Sequence, residues 1–327
     1  MNYYLYKLEF SASVHFGESD SSHALGTSSM TFCADTLFSA LCCTLAQSGR
    51  EAEIERFVGT VREGRLLFSD AFPYQGDELY IPRPISSPPV NQDEQVSSTA
   101  RKTMKKLQYI PISMWPEYLG FLDGKSGFDA EKAKAEFGKY TVVEKVSLRS
   151  VPLGEDSEPY SVGSFSFDEN CGLYGVLGYE DEDELAWCLD LLKLLGLGGI
   201  GGKRSSGYGK FDVSEDSEYL DSPVTPQSKQ LADMLYQDAD SQMLISASLP
   251  CDDELERVLE GASFKLVRRG GFAYTTHDNT PQKKATQYFI CSGSVFNKRF
   301  SGDVFNVSES AHPVLRYGKP MFLGVTR

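Results

Sequence analysis

Long apolar runs are missing from this chain: no stretch of its 327 residues reaches the roughly 18 to 20 uncharged apolar residues that a membrane helix needs, so no span is expected. Residues 1–10 carry Lys7 and Glu9 and alternate apolar with polar, unlike the charged-then-apolar order of a secretory leader, and read as a strand. Metal-ligand spacing is missing too. Seven cysteines, an odd number, stand at 33, 42, 43, 171, 188, 251 and 291 without a C-x-x-C pair, which argues against a zinc site or a disulfide framework and predicts a reducing, cytoplasmic compartment. Cys42 and Cys43 lie in an apolar helical stretch and are expected to be small core residues. No metal and no cofactor is indicated. Positive charge is the last shortage: 32 basic residues face 46 acidic ones, a net −14, the wrong sign for phosphate. The distribution is uneven, with residues 83–150 at +3, 196–210 at +3 and 261–327 at +7 between acidic stretches. That pattern fits a bounded anion-binding surface on a protein that otherwise repels nucleic acid.

What is present suits a large α+β protein. The length exceeds what one hydrophobic core fills, so two domains are expected. The pattern predicts a strand at 3–10, then a helix capped by Asp35 with a stripe of Leu37, Phe38, Leu41 and Leu45 that stops near Gly49. Strands are expected at 66–69, 79–82, 163–167, 172–179 and 208–213. A helix beginning at the acidic run 180–184, with Leu185, Leu189, Leu192 and Leu195 as its stripe, precedes the last of them. The order is β-α-β-β-α-β, the ferredoxin-like or RRM-like topology. Residues 83–150 read as a basic insertion with a Pro- and Ser-rich loop, and the acidic stretch 214–240 as a linker. The expected division is a ferredoxin-like domain at 1–215 and a second, smaller and degenerate one at 216–327, with strands near 243–249, 264–269 and 288–296 and a helix at 252–260.

Between the second helix and the last strand of the first unit lies GLGGIGGKRSSGYG, residues 196–209, with seven glycines. Glycine at this density has an entropic cost; it lets backbone N–H groups converge on an oxyanion, while Lys203, Arg204, Ser205 and Ser206 add charge and hydroxyl donors. Gly196, Gly198 and Gly201 match G-x-G-x-x-G, but that fingerprint follows a strand and opens a helix, and here the order is reversed. A Walker A loop is excluded because Leu197 stands at its first glycine and Arg204 at its Ser or Thr. The remaining readings are a phosphate-backbone cradle and a glycine-rich connection packed on the sheet.

The Gly-rich loop in this position resembles the signature of the RAMP superfamily of CRISPR proteins. With the opening strand, the helix from Ala34, the basic run from Arg101 to Pro111, and the late Val267-Arg-Arg-Gly-Gly-Phe272 and Gly293-Ser-Val-Phe296, the likeness narrows to the Cas five-like group and, within it, subunit four of the Csm (type III-A) complex, over nearly the whole chain. The resemblance implies an RNA-binding, non-catalytic subunit of an antiviral effector complex. It would hold the 5′ handle of the guide RNA and bridge the large polymerase-like subunit to the backbone filament. The RNA contacts it implies are Gly198, Gly199, Gly201, Gly202, Lys203, Arg204, Ser205, Ser206, Gly207 and Tyr208, then Arg83, Arg268 and Arg269, and Lys102, Lys105 and Lys106 along the same path or at a neighbouring subunit. Some RAMP relatives are metal-independent endoribonucleases, so His15 and His23, flanking a loop after the first strand, are candidates for an RNA contact or a general base; a purely architectural adaptor is the third reading.

Overall fold

A computed structural model describes residues 1–17, 25–85, 103–104, 106–146, 159–273, 282–308 and 313–326. Of the expected site residues, His23, Lys102 and Lys105 lie outside these, as do His277 and His312. No helix among the described residues is long and apolar enough to cross a membrane.

The chain opens on β1 (Asn2–Phe10), which pairs antiparallel with β8 (Cys171–Tyr179), the strand at the centre of the main sheet. β2 (Leu66–Phe68) and β3 (Phe72–Gln75) share the other edge of β8, and β4 (Glu78–Pro82) and β5 (Tyr109–Pro111) extend the sheet beyond β3. β9 (Phe211–Val213) and β10 (Glu218–Tyr219) both pair with β1. β8 is buried at all nine positions because both faces of the sheet are covered. On one face pack α1 (Ala34–Gln47), α2 (Ala52–Arg62) and α5 (Glu182–Gly198), whose Leu37, Phe38, Leu41, Phe57, Val61, Leu191 and Leu195 join one core. On the other pack α3 (Trp115–Leu122) and α6 (Pro226–Tyr236), with Trp115, Tyr118, Leu231 and Leu235 against Leu5, Phe72 and Val176. A short α4 (Ala130–Ala133) leads into a long hairpin, β6 (Gly138–Val146) and β7 (Pro159–Phe167), paired along its whole length.

The carboxy-terminal part contains a sheet of β16 (Val295–Phe296), β11 (Ser241–Leu244) and β19 (Phe322–Val325). Beside it lie α7 (Leu255–Leu259) and the ribbons β12–β15 (Leu266–Arg269, Gln287–Ile290), β13–β14 (Phe272–Ala273, Gln282–Lys283) and β17–β18 (Val304–Asn306, Leu315–Tyr317).

Five expectations are corrected. Asp35 is not the cap of α1: it lies in the first turn, and the Ala34 N–H is instead bonded 2.8 Å away by Oδ1 of Asp70, from the loop before β3. The described part of 83–150 is no surface insertion, because β5 joins the main sheet and Leu107, Ile110, Ile112 and Trp115 are core. Residues 214–240 are no linker: β10 and α6 fold there, α6 begins with a Thr225–Ser228 capping box, and its apolar stripe shares a core with Leu5 and Ile110. On α5, Leu189 is only partly buried and Cys188 and Leu191 are inside, the phase being set by packing against β9 and α1. Cys43 is exposed, not core, because it lies on the outer face of α1. The helix α2 and the strand β3 were not expected from the pattern.

Candidate nucleic-acid interface

The Gly-rich loop begins where α5 ends. Asp181 caps that helix at its start, accepting from the N–H groups of Asp183 and Glu184, so the acidic run serves the positive end of the helix dipole. At the other end the chain doubles back between α5 and β9, and residues 13–16 hold it from below. The Gly202 N–H donates to the His15 carbonyl at 2.8 Å and the Gly209 N–H to the Ser13 carbonyl at 2.9 Å. Gly209 has φ +74°, and a Cβ there would fall 2.0 Å from the Ile200 carbonyl oxygen, so glycine is obligatory. Between these anchors Lys203 takes a left-handed φ of +58° and residues 204–206 form one 3-10 turn. The backbone N–H groups of Gly201, Lys203, Arg204 and Ser205 have no acceptor among the described residues. The arrangement is a set of unbonded donors with Lys203 and Arg204 beside them, the chemistry of an oxyanion cradle.

Arg204 and Gly201 also form one wall of a cleft of about 400 Å³. The floor is one face of α1, with Asp35, Thr36, Ser39 and Cys43; the far wall is Arg269, Phe272, Lys284 and Arg316. Asp35 holds two arginines at once. Arg269 grips both of its carboxylate oxygens, Nε to Oδ2 at 2.9 Å and a second guanidinium nitrogen to Oδ1, and Arg316 Nε lies 3.8 Å away. Arg316 is 5% exposed and donates to the carbonyls of Arg269 and Gly270 at 2.8 and 3.0 Å. The Lys284 N–H donates to the Gly271 carbonyl at 2.9 Å, whereas its ammonium group has no hydrogen-bond acceptor among the described residues, and burial first, then the Arg316 charge, pushes its pKa down. Four cations therefore face one carboxylate in a half-enclosed space, where an anion is worth more than in bulk water. A second opening of about 680 Å³ shares Gly201 and Arg204 and is lined further by Gln47, Gly198, Lys203 and Ser205.

The expected residues thus divide. Gly201, Arg204 and Arg269 come together at the cleft, although Arg269 is committed to Asp35; Gly198, Lys203 and Ser205 line the second opening, and Gly199, Gly202, Ser206, Gly207 and Tyr208 line neither. Arg268 alternates to the opposite face of β12, facing Tyr288 across the ribbon. Arg83 follows β4, its N–H bonded to the Gln108 carbonyl, and lines neither opening; Lys106 is exposed and likewise outside them. His15 is buried, its Nδ1 2.7 Å from the Gly163 carbonyl and its ring under Gly202, so it props the loop. Lys284, Arg316 and Asp35 went unrecognised as site residues; the excess of positive charge after residue 261 was the one signal that pointed to the first two.

The family model for the RAMP superfamily matches residues 32–212, and the model for the CRISPR Csm4 C-terminal domain matches residues 237–325. A protein of Mycobacterium tuberculosis named CRISPR system Cms protein Csm4 is 34% identical over 329 residues, with 99% of this chain and 98% of that protein covered. The chain belongs to the Csm4 family of the RAMP superfamily. A Csm4 relative from Streptococcus thermophilus is 30% identical, with 98% of each chain covered. Among solved structures, a chain of the Csm3–Csm4 subcomplex in the type III-A CRISPR-Cas interference complex matches with a TM-score of 0.65 at 17% identity over 100% of both chains. A chain of the Csm1–Csm4 cassette in complex with pppApA matches with a TM-score of 0.61 at 19% identity, over 100% of this chain and 98% of that one. The Gly-rich loop lies inside the region matched by the RAMP model, and residues of both matched regions line the cleft.

Proposed function

We propose that this chain is the non-catalytic RNA-binding subunit of a cytoplasmic type III-A CRISPR effector complex. It holds the 5′ handle of the guide RNA at the cleft and joins the large polymerase-like subunit to the backbone filament. The observation that carries the reading is the convergence of Arg204 with Arg269, Lys284 and Arg316 around a half-enclosed space, next to an opening lined by Lys203 and Ser205, on an otherwise acidic protein. The whole-length likeness to chains solved with a Csm1 and with a Csm3 partner supports the two protein neighbours. The all-antiparallel order β9–β1–β8–β2, with helices α1 and α5 on one face, supports a ferredoxin-like unit at 1–215, and the strands and helix after residue 240 a second, degenerate one. Burial and the bond to Gly163 support a structural role for His15 over a general base.

The test is binding of a labelled guide RNA, with and without its 5′ handle, to wild-type chain and to the Lys203→Ala, Arg204→Ala double variant across a salt series. Single-strand affinity falls with a logarithmic slope of roughly 0.7 per neutralised phosphate, so the variant is expected to bind more weakly and to lose about 1.4 of that slope. Equal, salt-insensitive binding by both proteins would leave an architectural adaptor as the better reading.

A further inference from the structure

The hairpin β6–β7 meets the Gly-rich loop through four side chains. Lys145 Nζ lies 4.7 Å from the ring centroid of Tyr208, and Lys203 Nζ lies 4.7 Å from the ring centroid of Tyr160. Lys145 and Tyr160 stand opposite each other in the hairpin ladder, while Lys203 and Tyr208 belong to the loop. Each element thus lends one cation and one ring, and each cation sits on the other element's ring. The two elements share a mount: residues 13–15 bond the loop through the Ser13 and His15 carbonyls and bond β7 through the Val14 backbone and the His15 ring. Neither lysine has a carboxylate partner among the described residues.

A cation over an exposed ring changes an equilibrium by about two- to fivefold. A nucleobase stacked on such a ring is worth about five- to 150-fold. A base therefore outcompetes a lysine for the same ring face, and the lysine it displaces is left beside the phosphates on either side of that base. The loop supplies N–H groups without an acceptor among the described residues within the same few positions. Two rings from facing elements, each covered by an ammonium group without a carboxylate partner among the described residues, offer a stacking face and a movable charge to an unstacked nucleotide.

We infer that Lys145, Tyr160, Lys203 and Tyr208 form a base-stacking seat for single-stranded RNA, in which a base takes the ring faces and both lysines turn to the flanking phosphates. The inference rests on the reading that RNA lies along the Gly-rich loop. It adds the hairpin residues Lys145 and Tyr160 to that site. It also predicts tolerance of base identity, since every base offers a π-face.

The test uses the full chain and two fluorescently labelled probes, a short single-stranded RNA and an abasic oligonucleotide with the same ribose–phosphate backbone. Tyr160→Leu is expected to weaken binding of the RNA about tenfold, to leave the abasic probe unchanged and to keep the salt slope. Tyr160→Phe retains the ring and is expected to bind as wild type does. Lys145→Ala is expected to reduce the salt slope by about 0.7, the value of one phosphate, on both probes. Thermal melts of each variant establish that it folds, and should Tyr160→Leu fail to fold, the Lys145→Ala slope decides. The seat is overturned if Tyr160→Leu binds RNA like wild type, if it weakens both probes alike, or if Lys145→Ala leaves the slope unchanged. When that happens while the Lys203, Arg204 double variant still loses affinity, the loop reading stands and only the seat falls. A double variant that binds like wild type removes both.

Discussion

Arg204 reaches the cleft from a loop whose shape is dictated within fourteen residues, by glycines that accept φ and proximity no other residue tolerates. Arg269 and Arg316 reach it from the opposite wall, where they are positioned by Asp35, 234 residues earlier in the chain than Arg269. The loop wall is a local solution: its cost is steric and entropic, and its charges, on the half-buried Lys203 and Arg204, have no carboxylate partner among the described residues and are free to adjust to a ligand. The far wall is a tertiary one, with a desolvated carboxylate and two desolvated guanidinium groups, so its charges are fixed and its stability depends on all three being present. One cleft thus combines a wall that adapts with a wall that aligns.

The sharpest way to break this contrast is at Asp35. Asp35→Ala leaves Arg269 and Arg316 buried without their counter-charge, and the expected loss is about 3 to 5 kcal/mol of unfolding free energy in urea denaturation. An undiminished stability would show that the far wall is no more demanding than the loop. Gly209→Ala comes next. It combines a positive φ with the approach to the Ile200 carbonyl, and about 2 to 3 kcal/mol is expected, whereas Gly207→Ala, at φ +88° with open space around its Cβ, should cost only about 1 kcal/mol. Comparable costs at the two glycines would mean that φ alone, and not close approach, demands glycine in the loop.

The smallest effect separates the two aspartates that fasten α1 to the carboxy-terminal part. Asp70 accepts through Oδ1 from the N–H groups of Ala34 and Ala247 at 2.8 and 2.9 Å, but burial outweighs those bonds and raises its pKa from 3.8 to about 6. A carboxyl whose folded pKa is raised contributes stability in its protonated form, fully present below about 3.8 and lost as pH rises through about 6. Asp70→Asn keeps an acceptor at Oδ1 and cannot ionise. Its melting temperature relative to wild type is therefore expected to climb between pH 4 and 6.5 and then level off. A constant difference across that range would show that Asp70 titrates normally.

Much of the amino-terminal architecture was legible because its signals are local. The stripe of Leu37, Phe38, Leu41 and Leu45 reports burial directly, and strand and helix form where the patterns place them, although β1 is buried continuously from Leu5 to Leu8, Lys7 included, because both faces of its sheet are covered. The helix at Ala52–Arg62 was passed over although Phe57, Val58 and Val61 have helical spacing, because its first half is charged and reads as surface. The stretch 214–240 looked like a linker for the same reason: its acidic and Pro-containing composition hides the stripe Leu231, Ala232, Met234 and Leu235, which finds its partners only in strands far away in the chain.

For the site the division is the same. The amino-acid sequence by itself determined the loop, since seven glycines beside Lys203 and Arg204 constrain backbone and charge within one short segment, and it determined the family through motifs spread along the whole chain. Only the tertiary structure decided that Asp35 is an anchor for two arginines and not a helix cap, that His15 is buried beneath the Gly-rich loop, and that Lys284, Lys145 and Tyr160 stand beside the loop. Backbone conformation is set by neighbours along the chain, whereas burial and the pairing of charges and rings are set by neighbours in space, which the order of residues does not name.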